Sequence, residues 1–137
     1  MTRYYKADGF EVPDRLFQIR QVGRTHSQMW LQAERPFVNE YRLEVLFPDV
    51  GYLCLPFALR GLYLRRAPAD EAARLTALHG VTVEPDRAVF LLSREHDWFV
   101  VSGEPAWAES ALSYDEPTVF FNSDYGPDVV ISVGTLT

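Results

Sequence analysis

A chain of 137 residues with 47% apolar and 23% charged side chains is long enough for one domain that buries about two-thirds of its unfolded surface, and too apolar to be disordered throughout. Its formal charge of −6 argues against non-specific binding to nucleic acid or to an anionic membrane. The single Cys54 excludes an internal disulfide, residues 1–10 have no apolar run of signal-peptide length, and the longest uncharged apolar run, residues 50–59, is about half of a membrane span. The expectation is a cytoplasmic protein forming one domain over 1–137.

In chain order, residues 1–14 read as a polar, loosely ordered lead-in ending at a Pro13-Asp14 turn. From Arg15 to Val22, Phe17 and Ile19 alternate with Gln18 and Arg20, a strand pattern. Met29, Leu31 and Ala33 resume it after the Gly23–His26 loop, so these two runs predict a hairpin. Tyr41, Leu43, Val45 and Phe47 then alternate with Arg42, Glu44 and Leu46, the clearest half-buried strand.

After the Pro48-Asp49-Val50-Gly51 turn, Leu53, Leu55 and Phe57 share a face. Pro56 has no N–H to give a ladder, which places this strand at an edge. A short strand over 61–66 puts Leu62 and Leu64 inward and Tyr63 outward. A helix follows over about 68–79: Pro68 at its start, Asp70 and Glu71 in its first turn and Gly80 just past its end are the expected punctuation. Its narrow stripe of Ala72, Leu75 and Leu78 suits a helix lying on a sheet.

A short strand is expected over 80–84. The apolar runs 88–92 and 98–101 form a hairpin with a charged tip at Arg94-Glu95-His96-Asp97, and runs apolar on both faces belong to strands covered on both sides. Trp107, Ala111 and Tyr114 at i, i+4 and i+7 predict a second short helix over about 105–113, and strands are expected over 118–122 and 129–133. The fold class is therefore α+β: a mainly antiparallel sheet, either strongly curved or split in two, with one or two helices.

The chemistry-bearing motifs are few. HExxH, GxGxxG, GxxxxGK[ST], GxSxG and zinc-spaced Cys/His are absent from the sequence, so no cofactor or metal is expected. Asn122, Asp124, Gly126 and Asp128 alternate like a calcium loop, but without its distal glutamate and with Pro127 inside; the pattern reads as a turn. Cys54 lies in an apolar run with no charge to activate it. His96 stands between Glu95 and Asp97, and a polar pocket formed by His96, Asp97, Tyr63 and Arg65 would make a small-ligand-binding or hydrolytic domain. Arg20, Arg24, His26, Arg60, Arg65 and Arg66 form a second, basic constellation suited to phosphate.

The strongest signal is charge segregation. Residues 95–137 hold eight acids and no Lys or Arg, against a net of +2 in the first 94 residues. An acidic, aromatic-rich face suits a basic protein partner, with charge steering the encounter and aromatics anchoring it. The leading expectation is a non-enzymatic interaction domain of inhibitor or immunity-protein type. Its surface would comprise Glu95, Asp97, Glu104, Trp107, Glu109, Tyr114, Asp115, Glu116, Asp124, Tyr125 and Asp128. A homo-oligomer pairing through an exposed strand is the third reading.

Overall fold

A computed structural model describes residues 2–22, 27–34, 41–113, 115–121 and 125–136. Ten strands form one open sheet: β1 (Arg3–Ala7), β2 (Gly9–Val22), β3 (Met29–Ala33), β4 (Arg42–Phe47), β5 (Tyr52–Cys54), β6 (Ala58–Arg66), β7 (Ala88–Leu91), β8 (Phe99–Ser102), β9 (Ala106–Ser110) and β10 (Val130–Leu136). The single α-helix among the described residues, α1 (Ala69–His79), follows β6. The strand order is β1-β10-β9-β4-β3-β2-β6-β7-β8-β5, antiparallel throughout except for the parallel β1–β10 pair.

The sheet is neither split in two nor closed; it curls. Phe10 on β2 stacks on Trp107 of β9 at 4.9 Å between ring centroids, although β3 and β4 lie between the two strands. Three strand spacings of a flat sheet span about 14 Å, so the two rings meet only across a concave face. That face holds the main core, with Phe17, Leu31, Val45, Phe47, Leu64 and Trp107 all fully buried. The Trp107 indole N–H donates to Tyr5 Oη at 2.6 Å, tying β1 into the curl. Gly134 of β10, paired with both Trp107 and Tyr5, leaves the room this ring needs, because a Cβ there would overlap the indole.

Both hairpins appear with the expected antiparallel pairing, β2 with β3 and β7 with β8, and the Pro56-bearing run stops after three residues at the sheet's edge as β5. Residues 1–14 are not a loose lead-in, however. They supply β1 and the first part of β2, and the Pro13-Asp14 turn is a bulge within β2. Val12 pairs with Leu62 and Leu16 with Arg60, so residues 13–15 oppose Gly61 alone. A bulge needs no ladder bond from proline, and Gly61 at φ +84° turns its backbone under Pro13 O where a side chain would clash.

Helix α1 ends as its sequence predicts: Gly80 is left-handed at φ 65°, and the N–H groups of Gly80 and Val81 donate to Ala77 O and Thr76 O, the double bond of a Schellman cap. Pro68 stands one residue before the helix. Leu75 is fully buried and Ala72 packs beside it over Val89, Leu91, Phe99 and Val101. Leu78, expected on the same stripe, is 70% exposed, because the helix leans on β7 and β8 along a line only one leucine wide. With Phe90, Leu92 and Val100 on the opposite face in the main core, β7 and β8 are covered on both sides, as their apolar runs require.

Three local expectations fail. Residues 81–84 form no strand and 119–121 form a 3-10 turn. The helix expected over 105–113 is β9, a strand held between β4 and β10. The i, i+4, i+7 spacing there is coincidental. Two ladders and burial of Trp107 outweigh the helical preference of an alanine-rich stretch. A Gly134→Ala substitution is expected to lower stability by about 1–3 kcal/mol, the usual range for overpacking, read as a reduced urea midpoint with unchanged slope.

Candidate functional site

The outer face of β4 carries Arg42 and Glu44, both 0% exposed. Sequence alternation assigned this face to solvent; it is covered instead by the segment that follows β9. Arg42 Nη1 donates to Ser113 O (2.7 Å) and Glu116 O (2.9 Å), and Nη2 donates to Pro117 O (3.0 Å). Nη2 also stands 3.5 Å from Glu44 Oε2, which accepts the Val119 N–H at 3.3 Å. One buried ion pair thus clamps residues 113–119 to the sheet through four main-chain groups. Arg42 Nε, Glu44 Oε1 and Ser110 Oγ are buried without a hydrogen-bond partner, so the clamp holds the loop at the cost of incomplete satisfaction.

The clamped segment carries part of the acidic set. Glu116 accepts from Ser113 N (3.0 Å) and Oγ (2.8 Å), and these bonds, the backbone one foremost, hold its carboxyl below the usual range. Asp115 accepts from Ser113 Oγ at 3.0 Å. Tyr125 Oη donates to Pro117 O at 3.0 Å, and Asp128 is exposed just before β10. Tyr114 and Asp124 lie outside the described residues, and with Asp124 and Asn122 the calcium-like alternation.

The remaining acids go elsewhere. Glu109 accepts from Ser132 Oγ at 3.1 Å, and Glu104 is exposed between β8 and β9. Glu95 and Asp97 sit on the β7–β8 tip, separated from β9 in the sheet by β7, β6, β2, β3 and β4. Asp97 is bound by Arg74 of α1 at 3.1 and 3.2 Å, and that hydrogen bonding lowers its pKa. Trp107, expected to be exposed, is fully buried and belongs to the core.

Beside the clamped segment, Tyr4, Val119, Phe120, Tyr125, Pro127 and Val130 line an open groove of about 420 Å³, with no Lys or Arg in its lining among the described residues. Tyr4 is 75% exposed and stands on β1, the end strand of the sheet. Lys6, two residues along on the same face, lies outside the lining. The sequence signal for Tyr4 is the alternation within residues 3–7, inside the stretch expected to be a lead-in.

A second cavity, of about 230 Å³, opens between the β2 bulge, β6 and the β7–β8 tip. Tyr63 and His96 both line it, as do Arg60, Arg94 and Trp98. Arg65 lies behind, 4.6 Å from the Tyr63 ring centroid. Asp97, the fourth member of the expected polar pocket, is not in the lining; its carboxylate turns to Arg74. Ser93 Oγ accepts the N–H groups of Glu95 and His96, each at 3.1 Å, and so shapes the tip. His96 stacks on Trp98 at 4.4 Å and 17°. Cys54 packs with the cluster beneath α1 and is not in the cavity lining.

Among the described residues, no group of His, Cys, Asp or Glu could hold a metal ion, and no helix is long and apolar enough to cross a membrane. Compared with known families, curated proteins and solved structures, the chain finds no match.

Replacing Arg42 with Ala leaves Glu44 charged and buried and four main-chain groups without their clamp. The expected loss is about 3–5 kcal/mol by urea denaturation, with earlier hydrogen exchange at residues 113–119; replacing Arg42 and Glu44 together by Met and Leu should cost less in stability yet leave that exchange fast. For Asp97, a folded-state pKa below the unfolded value means that its contribution is present above the ordinary carboxylate range, about 3.9, and is lost as pH falls through the lowered value. The Asp97→Asn variant should therefore lose less thermal stability than the parent between about pH 4 and 2, by a small margin, since both partners of the Arg74 pair are roughly half exposed.

Proposed function

We propose that this chain is a non-enzymatic protein-interaction domain that receives a basic segment of a partner in the groove beside β1, in the manner of an inhibitor or immunity protein. The observation that carries the reading is an aromatic groove with no basic side chain in its lining, built mostly from the third of the chain that has eight acids and no Lys or Arg. Asp128 adjoins Pro127 of the lining, and Asp115 and Glu116 adjoin Pro117, which holds Tyr125. On this reading these acids flank the groove and steer a cationic partner, while Tyr4, Phe120 and Tyr125 offer rings for apolar and cation–π contact.

The end position of β1 supports the same reading. An extended partner segment laid along it gains main-chain hydrogen bonds, and alternate side chains fall toward Tyr4 and the groove. Glu95 and Asp97 are not needed for this surface, which narrows the expected interface to Asp115, Glu116, Tyr125, Asp128 and the aromatics around them. Pairing of two copies through β1 is the competing use of the same edge.

The test uses a peptide of alternating Lys and Trp, titrated into the full chain and followed by amide chemical shifts. Perturbations should centre on Tyr4, Phe120, Tyr125 and Asp128, and affinity should fall as salt rises from about 0.02 to 0.5 M. Changing the exposed Tyr4 to Ser should weaken binding by about fivefold to tenfold. Salt-independent binding, or perturbations elsewhere on the sheet, would count against the proposal. Concentration-dependent size-exclusion behaviour abolished by Lys6→Pro would assign the edge to self-association instead.

A further inference from the structure

The cavity at the β7–β8 tip is independent of that groove and has the opposite chemistry. Its floor is apolar, with Leu62 and Leu92 buried, and aromatic side chains, Tyr63 and the stacked His96–Trp98 pair, also line it. Three guanidinium groups converge there: Arg60 and Arg94 in the lining, and Arg65 behind Tyr63. Two of the three are committed. Arg94 donates from Nε and Nη2 to Glu11 Oε2 at 3.0 and 2.7 Å and lies 3.8 Å from the Tyr63 ring centroid. Arg65 sits over the same ring and donates to Ser93 O at 3.3 Å. Arg60 makes a single long bond, 3.4 Å, to Asp14 O.

We infer that this cavity binds a small planar carboxylate, such as an aromatic acid, with its ring against the His96–Trp98 stack and the leucine floor and its carboxylate on Arg60. The sign of charge follows from which groups are engaged. Glu11 is neutralised by Arg94, so a cation entering the cavity meets Arg60 and must compete with Arg94 for the face of Tyr63. An anion finds in Arg60 a planar fork of donors matched to a carboxylate. Glu95, which also lines the cavity, repels any negative charge, so the ligand's one carboxylate is confined to Arg60 and a second is opposed.

Size and polarity select the rest of the ligand. A space of about 230 Å³ is enough for one ring and a carboxylate. Inorganic phosphate would leave the aromatic walls and the leucine floor unused and would be desolvated against them without compensation. The basic residues singled out in the sequence are thereby divided: Arg60 and Arg65 join Arg94 here, whereas exposed Arg20 is on β2 outside the lining and Arg24 and His26 lie outside the described residues.

The experiment titrates the full chain with benzoate, with benzamidinium as a planar cation of similar shape, and with inorganic phosphate, following the Trp98 indole N–H by NMR. Benzoate should saturate with a Kd of about a millimolar, and Arg60→Gln should weaken it by about tenfold. Arg60→Lys should restore part of that loss, and Trp98→Leu should weaken binding without changing the preference for an anion. Benzamidinium should not saturate. The inference is overturned if benzamidinium binds as well as benzoate, if phosphate binds more tightly than benzoate, or if Arg60→Gln leaves the benzoate Kd unchanged. Absence of saturable benzoate binding up to about 20 mM would overturn it equally. Because Arg60 is an exposed side chain, loss of fold does not obscure the Gln variant, and none of these outcomes depends on the groove beside β1.

Discussion

A guanidinium and a carboxylate buried on the outer face of β4 hold the rest of this structure to its shape. Arg42 has five N–H donors and no access to water, so each donor not satisfied by the chain raises the free energy of the folded state. The segment after β9 supplies three carbonyls to it, and Glu44 takes up both the ion pair and the Val119 N–H. A leucine at position 42 would fill space with no desolvation penalty, but could not fix a loop by its main chain. The pair therefore trades stability for position, and what it positions is the turn bearing Asp115 and Glu116 and the start of the Val119–Phe120 wall of the groove.

The opposite face is organised by apolar contact. Stacking of Trp107 on Phe10, its bond to Tyr5 and the bare backbone of Gly134 bring β1, β9 and β2 toward one another, and the resulting concavity is the main core. Curling leaves a long convex face that water would otherwise reach. The chain covers it in two pieces: residues 111–121 over the β4–β9 half and α1 over the β7–β8 half. A ten-stranded open sheet, with one α-helix among the described residues, is thereby given two cores.

Arginine–carboxylate pairs join parts of the chain that are distant in sequence. Arg74 on α1 takes Asp97 out of the acidic set, Arg94 takes Glu11, and Arg87 takes Asp49, whose left-handed backbone at φ 51° forms the turn after β4. Asp115, Glu116 and Asp128 lie in the segments that lead to β10, and Arg60 lines the cavity at the β7–β8 tip.

Much of the architecture was legible in the chain. Alternation predicted β2, β3, β4 and β6; the run of apolar residues predicted β7 and β8 with cover on both sides; Pro68, Asp70, Glu71 and Gly80 bounded α1; and Pro56 placed β5 at an edge. These are local effects of period 2, of capping and of a missing N–H, and each acts within a few residues. What depended on partners distant in sequence was not legible. The strand character of 106–110, the burial of Trp107 against Phe10, the bulge opposite Gly61 and the burial of Arg42 and Glu44 each require residues tens of positions away. The same limit separates the charge pattern from the sites: the sequence by itself determined that residues 95–137 are acidic, and only the tertiary structure decided that Asp97 is neutralised, because Arg74, which pairs with it, stands on the helix.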